Sequence, residues 1–165
     1  MGATTGIEWT DSTWNPWIGC HKISQGCKNC YMFRNQVRYG RDPDVVRRSK
    51  TTFDDPLRWA KNGKPQPGAK IFTCSISDWF IEEADEWREE AWGVIARTPQ
   101  FNYLILTKRP ERIAENLPLV WGAGWPNVWL GVSAEDQANA DRRVPILLSI
   151  PAAVRFVSAE PLLGP

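Results

Sequence analysis

Apolar and polar positions follow one another in a repeated order along the chain: a short β-branched or aromatic run, a polar loop, then a stretch with helical spacing. The runs at 7–10, 70–75, 102–106, 128–132 and 154–158 read as strands, each bounded by Gly, Pro, Asn, Asp or Ser. The run at 102–106, Asn-Tyr-Leu-Ile-Leu, is almost wholly apolar, the mark of a strand covered on both faces. Helices are predicted at 31–39, closed by Gly40, and at 84–97, where Trp87, Ala91, Val94 and Ile95 share one stripe and Pro99 ends the run. A third helix is predicted over 111–116, behind Thr107 and Pro110, and a fourth over 137–148, interrupted near Pro145. Residues 42–68 read as an irregular insertion with a short helix near 56–62. Asp11, Ser12, Asn15 and Pro16 leave 14–31 as a loop after the first strand.

This alternation implies parallel strands with right-handed crossovers, as in a doubly wound sheet or part of a (β/α) barrel. The expectation is an α/β fold: a partial barrel of about five parallel strands, one domain over 1–165. No helix or strand is predicted after 154–158 to cover that strand. The chain is therefore expected to be a fragment of a longer barrel, or to be completed at this edge by a partner or a second copy in a homo-oligomer.

Composition changes this picture little. With 165 residues, 42% hydrophobic and 24% charged, the chain has material for one real core, and disorder is not expected. Lys plus Arg at 20 against Asp plus Glu at 19 leaves a formal charge of +1, so no general attraction to nucleic acid or membrane follows. Arg34, Arg38, Arg41, Arg47, Arg48 and Lys50 form the one basic concentration, read most plainly as a solvated helix face with a loop. No leader and no membrane-length apolar run is visible, so a cytoplasmic protein without a membrane partner is expected. Most of the ten tryptophans are expected in the core or at interfaces.

The candidate chemistry lies in the first loop. Cys20, Cys27 and Cys30, spaced Cys-x6-Cys-x2-Cys, bring three soft ligands together, with Gly19 and Gly26 beside two of them. In a reducing cytosol this points to metal rather than disulfides. Three thiolates complete neither a four-cysteine iron–sulfur site nor a four-ligand zinc site, so a fourth ligand is required. Polar residues also collect directly after the other strands: Ser75, Ser77 and Asp78; Thr107, Lys108 and Arg109; Ser133, Glu135 and Asp136; Ser158 and Glu160. In parallel α/β architectures these positions share the end of the sheet where ligands bind. Helix capping is the other account of each such residue.

Several segments together resemble the signature of a phage and prophage family known for its three-cysteine motif. They are Ile7-Glu8-Trp9-Thr10, Thr13-Trp14-Asn15-Pro16, Gly19-Cys20, Ser24, Gly26-Cys27-Lys28-Asn29-Cys30-Tyr31, Leu106-Thr107-Lys108-Arg109-Pro110, Gly131-Val132-Ser133, Ala140-Asp141-Arg142-Arg143 and 158–165. That family is placed with the radical S-adenosylmethionine (SAM) superfamily and is similar in layout to spore photoproduct lyase. The first cysteine gap is three residues longer than the commonest spacing of the superfamily. The family usually continues past the Glu-Pro-Leu-Leu-Gly segment into at least one more strand.

The resemblance implies an enzyme in which Cys20, Cys27 and Cys30 hold three irons of a 4Fe-4S cluster and SAM supplies the missing ligand to the fourth. One electron from a partner reductant would cleave SAM to a 5′-deoxyadenosyl radical acting on an unknown substrate, with nucleic acid among the possibilities. It further implies cofactor contacts: Ser75, Ser77 and Asp78 toward the methionyl amino group, Lys108 or Arg109 toward its carboxylate or an anionic substrate. Ser133 and Glu135 would face the ribose, Glu160 the ribose or the substrate, and Tyr31 the adenine. His21 is expected to be an exposed loop residue and Cys74 a small core residue. The competing reading is a zinc-binding structural or interaction module, in which Cys74 or His21 joins the three cysteines and no catalysis follows.

Overall fold

The computed structural model describes residues 5–164. Five parallel strands form the main sheet: β1 (Ser12–Trp14), β4 (Lys70–Thr73), β5 (Asn102–Thr107), β6 (Val128–Ser133) and β7 (Val154–Ser158). They lie side by side in chain order, β1-β4-β5-β6-β7, with no reversal, and among the described residues the sheet does not close on itself. The fold is therefore α/β around a five-stranded parallel sheet. Between β1 and β4 the chain forms β2 (Trp17–Ile18) and β3 (Arg47–Arg48), a two-stranded antiparallel ribbon, and the helices α1 (Tyr31–Arg38) and α2 (Asp55–Asn62). Helix α3 (Asp85–Ala96) joins β4 to β5, and α4 (Gln137–Ser149) joins β6 to β7.

Register divides the sheet into two faces. In successive rows Ile71, Tyr103 and Val128 align, then Thr73, Ile105 and Leu130. Five of these six, all but Thr73, join Val94 and Ile95 of α3 and Leu147 of α4 in the main core. That core holds a run of six indoles, Trp17, Trp14, Trp79, Trp92, Trp121 and Trp125, with neighbouring ring centroids 5.0 to 5.8 Å apart. On the opposite face Phe72, Leu104 and Trp129 form one row, and Gly131 lies beneath the Phe156 ring. A Cβ at Gly131 would stand 2.5 Å from that ring, so glycine lets the ring lie flat on the sheet.

Four expectations need correction. The first strand is not 7–10: β1 begins at Ser12, and Trp9 instead lies against Phe72 at 4.7 Å and Phe156 at 6.4 Å. High β-propensity there serves packing on the sheet, whereas Asp11 leads into β1 by accepting the Lys70 amide at 2.7 Å. The 42–68 insertion is not wholly irregular, because β3 pairs with β2. Residues 110–116 make two separate 3₁₀ turns rather than a helix. Helix α4 runs uninterrupted through Pro145: Asp141 and Pro145 are both exposed, so the carbonyl that loses its partner faces water.

Candidate functional site

The C-terminal ends of β4, β5, β6 and β7 and the cysteine loop that follows β1 and β2 meet around one cavity of about 550 Å³. Cys20, Cys27 and Cys30 line it, together with Tyr31, Ser75, Ser77, Asp78, Lys108, Ser133 and Glu160. Ile7, Trp9, Phe72 and Leu106 give it an apolar wall on the sheet side.

The cysteine loop is held in shape by its neighbours. Gly19 sits at φ 104° with its position for a Cβ only 2.4 Å from the Val45 carbonyl oxygen, so no other residue fits there. The Gly19 carbonyl accepts the Ser77 hydroxyl at 2.5 Å, and the Cys20 amide donates to the Pro43 carbonyl at 3.0 Å. Gln25–Cys27 form a 3₁₀ turn, and Cys30 immediately precedes α1, closing on the Cys27 carbonyl at 3.3 Å.

The loop after β4 acts as a brace. Asn15, just past β1, accepts the Ile76 amide at 3.1 Å and donates to the Ser75 hydroxyl at 3.0 Å. Asp78 is buried and accepts four hydrogen bonds: from the Phe80 amide at 3.0 Å, the Thr107 hydroxyl at 2.6 Å, the Lys108 amide at 3.0 Å and Arg109 at 3.1 Å. Arg109, also buried, then directs one nitrogen at Cys20 Sγ, 3.9 Å away, and another at the His21 carbonyl, 3.2 Å away. Burial and the Asp78 charge push the Cys20 thiol up to about 12, against the lowering effect of Arg109.

Glu135 stands apart from the cavity lining. It is wholly buried, with its carboxylate accepting Ser24 at 2.5 Å and Arg143 at 2.6 Å, and with Lys108 Nζ 3.5 Å away. A Cβ on Gly26 would strike this carboxylate at 2.5 to 2.9 Å. Glu135 thus anchors the cysteine loop to the end of β6, where a ribose contact was expected. The Tyr31 hydroxyl donates to the Ser75 carbonyl across the cavity, joining α1 to the β4 loop. His21 is half-buried and pairs with Glu83, with Asp44 at 3.7 Å. Cys74 is buried at φ 56°, a left-handed turn on a non-glycine residue directly after β4.

These bonds separate bracing groups from available ones. Ser75, Ser77 and Asp78 are engaged with protein, whereas the Ser133 and Ser158 hydroxyls and the Glu160 carboxylate make no side-chain hydrogen bond among the described residues. Sequence reasoning missed the anchoring roles of Asn15, Ser24 and Arg143; the first two lie in the motif segments around the cysteines. Among the described residues no three His, Cys, Asp or Glu side chains are gathered closely enough to hold a single metal ion.

A family model described as "Protein of unknown function (DUF5131)" matches residues 4–165, nearly the whole chain. The chain belongs to that family. Neither a curated protein nor a solved structure matches it. The DUF5131 match spans every element that builds the cavity, from the cysteine loop to the segment after β7. Among the described residues no helix is long and apolar enough to cross a membrane.

Proposed function

We propose that the chain is a radical SAM-type enzyme and that its sheet is the core of a partial (β/α) barrel. The observation that carries this reading is the convergence of three cysteines from one loop and polar strand-end residues on a single cavity with an apolar wall. The donor set suits the cofactor: three soft thiolates suffice for three irons, and a cubane asks its ligands to stand apart rather than meet at one point. Cys20, Cys27 and Cys30 would hold a 4Fe-4S cluster, and Ser133, Ser158, Glu160 and Lys108 are the polar groups with capacity for SAM. When bound, this pair supplies one-electron cleavage of a sulfonium to a carbon radical able to abstract hydrogen, given an external reductant.

The chain's own residues supply position and shelter. Asp78 fixes Arg109 beside the first cysteine, Glu135 holds the loop that carries the second, and Tyr31 joins the helix after the third to the β4 loop. Trp9, Phe72 and Leu106 keep one wall apolar, which limits water at a reactive centre.

Anaerobic reconstitution with iron and sulfide should give about four irons per chain with thiolate-to-iron charge-transfer absorbance. The reduced protein should then form 5′-deoxyadenosine slowly from SAM. Stoichiometric, tightly held zinc with no cluster would instead establish the structural zinc module, with Cys74 or His21, both on the cavity wall, as the fourth ligand. An intact, reducible cluster with no 5′-deoxyadenosine would make the protein non-catalytic.

A further inference from the structure

Beside the cysteine cavity runs a second, more open groove of about 800 Å³. Lys22, Lys28, Arg34 and Arg38 line it, together with Phe33, Val37 and one carboxylate, Asp44. His21, Phe33 and Arg34 line both hollows, so the groove leads directly to the cavity mouth.

The basic concentration in the sequence divides sharply in three dimensions. Arg47 and Arg48 are half-buried and used internally: Arg47 bonds Gln36 at 3.0 Å, and Arg48 covers Phe53 at 3.7 Å and bonds Glu90 at 2.7 Å. Lys22, Lys28, Arg34, Arg38 and Arg41 are exposed, and among the described residues none of them forms an ion pair. Over residues 22–44 these five cations face two carboxylates, Asp42 and Asp44, a local charge of +3 in a chain whose whole charge is +1. The rest of the molecule is therefore slightly acidic, and the positive field is concentrated at this groove.

Helix α1 sets the spacing. Tyr31, Arg34 and Arg38 fall at i, i+3 and i+7, one stripe from cavity to groove, while Met32, Phe33 and Gln36 turn inward. Tyr31, Val37 and Tyr39 leave ring or aliphatic surface exposed among the cations. A concave track of cations that form no ion pair among the described residues, with Val37 exposed in its lining and the Tyr31 ring exposed where it meets the cavity, suits a single-stranded polyanion with a base stacked on that ring. An anionic bilayer would instead need a projecting apolar face.

We infer that this groove binds the backbone of single-stranded nucleic acid and leads one nucleotide to the mouth of the cysteine cavity. Its status as substrate rests on the radical-enzyme reading; the binding itself does not. A single strand is indicated because a base must leave its stack to reach an enclosed site.

The test is fluorescence anisotropy with short labelled single strands, DNA and RNA in separate arms, on the purified chain before and after reconstitution. Each phosphate contact contributes a salt slope of about −0.7 for single strands, so the four cations that line the groove give a slope of about −2.8. Lys22→Gln with Arg38→Gln, two exposed residues that line the groove but not the cavity, should weaken binding about 14-fold at about 0.15 M salt and flatten the slope by about 1.4. Lys61→Gln with Lys64→Gln, exposed cations beyond the groove, should leave binding unchanged. Equal losses in the two pairs, tighter binding of duplex than of single strand, or binding of anionic vesicles but of neither oligonucleotide would overturn the inference. Cluster loading is measured on the same samples. Strand binding without a cluster keeps the groove and removes the enzyme; a cluster without strand binding does the reverse.

Discussion

Glu135→Ala is expected to be among the most damaging single changes outside the cysteines. The wild-type carboxylate and the Arg143 guanidinium are both fully buried, 2.6 Å apart, and Ser24 and Lys108 face the other carboxylate oxygen. Arg143 Nε and Nη2 already lack partners, so removing Glu135 leaves the cation only the Ser133 carbonyl at 2.7 Å. Deleting one partner of such a buried pair costs about 3–5 kcal/mol. In a domain of this size each kcal/mol moves the midpoint by about 2–4 °C, so thermal unfolding should fall by about 6–20 °C. Circular dichroism melts and urea titrations measure it, and Glu135→Leu combined with Arg143→Met should recover most of the loss. A cost below about 1 kcal/mol, or a double variant no better than the single, would refute the assignment of Glu135 as an anchor. Acid titration gives a second readout. Burial alone would raise the Glu135 carboxyl, but the Ser24 hydrogen bond and the Lys108 and Arg143 charges outweigh it and hold it below its ordinary value of 4.5. A carboxyl held low in the folded state contributes fully above that value and less as pH falls below it. The wild type should therefore lose stability in acid more steeply than Glu135→Gln.

Gly26→Ala places a methyl 2.5 Å from Glu135 Cγ, so the loop or the carboxylate must move; faster amide exchange over 24–30 and a lower melting midpoint are expected, and an unchanged protein would contradict the close approach. Cys20→Ala, Cys27→Ala and Cys30→Ala should each abolish cluster assembly, while Cys74→Ala should cost at most about 2 kcal/mol of packing; iron analysis and melts decide, and the reverse pattern would reassign the ligands. Arg109→Leu removes the donor beside Cys20 Sγ and should lower the reduction potential of the reconstituted protein, read by redox titration; an unchanged potential would make Arg109 a purely structural partner of Asp78.

The parallel strands and the longer helices were legible because they bury whole apolar runs or stripes, and Gly40 marks the end of α1 as its position suggests. The cavity was legible only in outline: strand-end polar residues do converge, but their division into braces and free groups depends on distances that spacing does not encode. Asp78 satisfies three backbone or side-chain donors besides Arg109, and nothing in a polar tetrapeptide distinguishes that role from ligand binding. Glu135 and Arg143 are eight residues apart on either side of a helix start, where two charges ordinarily read as solvated. The shift of the first strand has a similar origin, since Ile7 and Trp9 have strand-like side chains, yet Ile7 lines the cavity and Trp9 packs on Phe72 of the sheet. The left-handed Cys74 carried no signal, because Cys is not a residue that marks such a turn.

The bond between Ser24 and Glu135 spans 111 positions of sequence, and this sets a timetable for biogenesis. A ribosome adding about 5–20 residues per second leaves the cysteine loop without its anchor for about 6–22 s after it is made. During that interval three thiols intended for one cavity are exposed on an unfinished sheet, open to oxidation and to stray metals. On the proposed reading, cluster loading would follow completion of the chain, and the yield of filled protein would depend on how oxidising the surroundings are while the second half of the chain is still being synthesised.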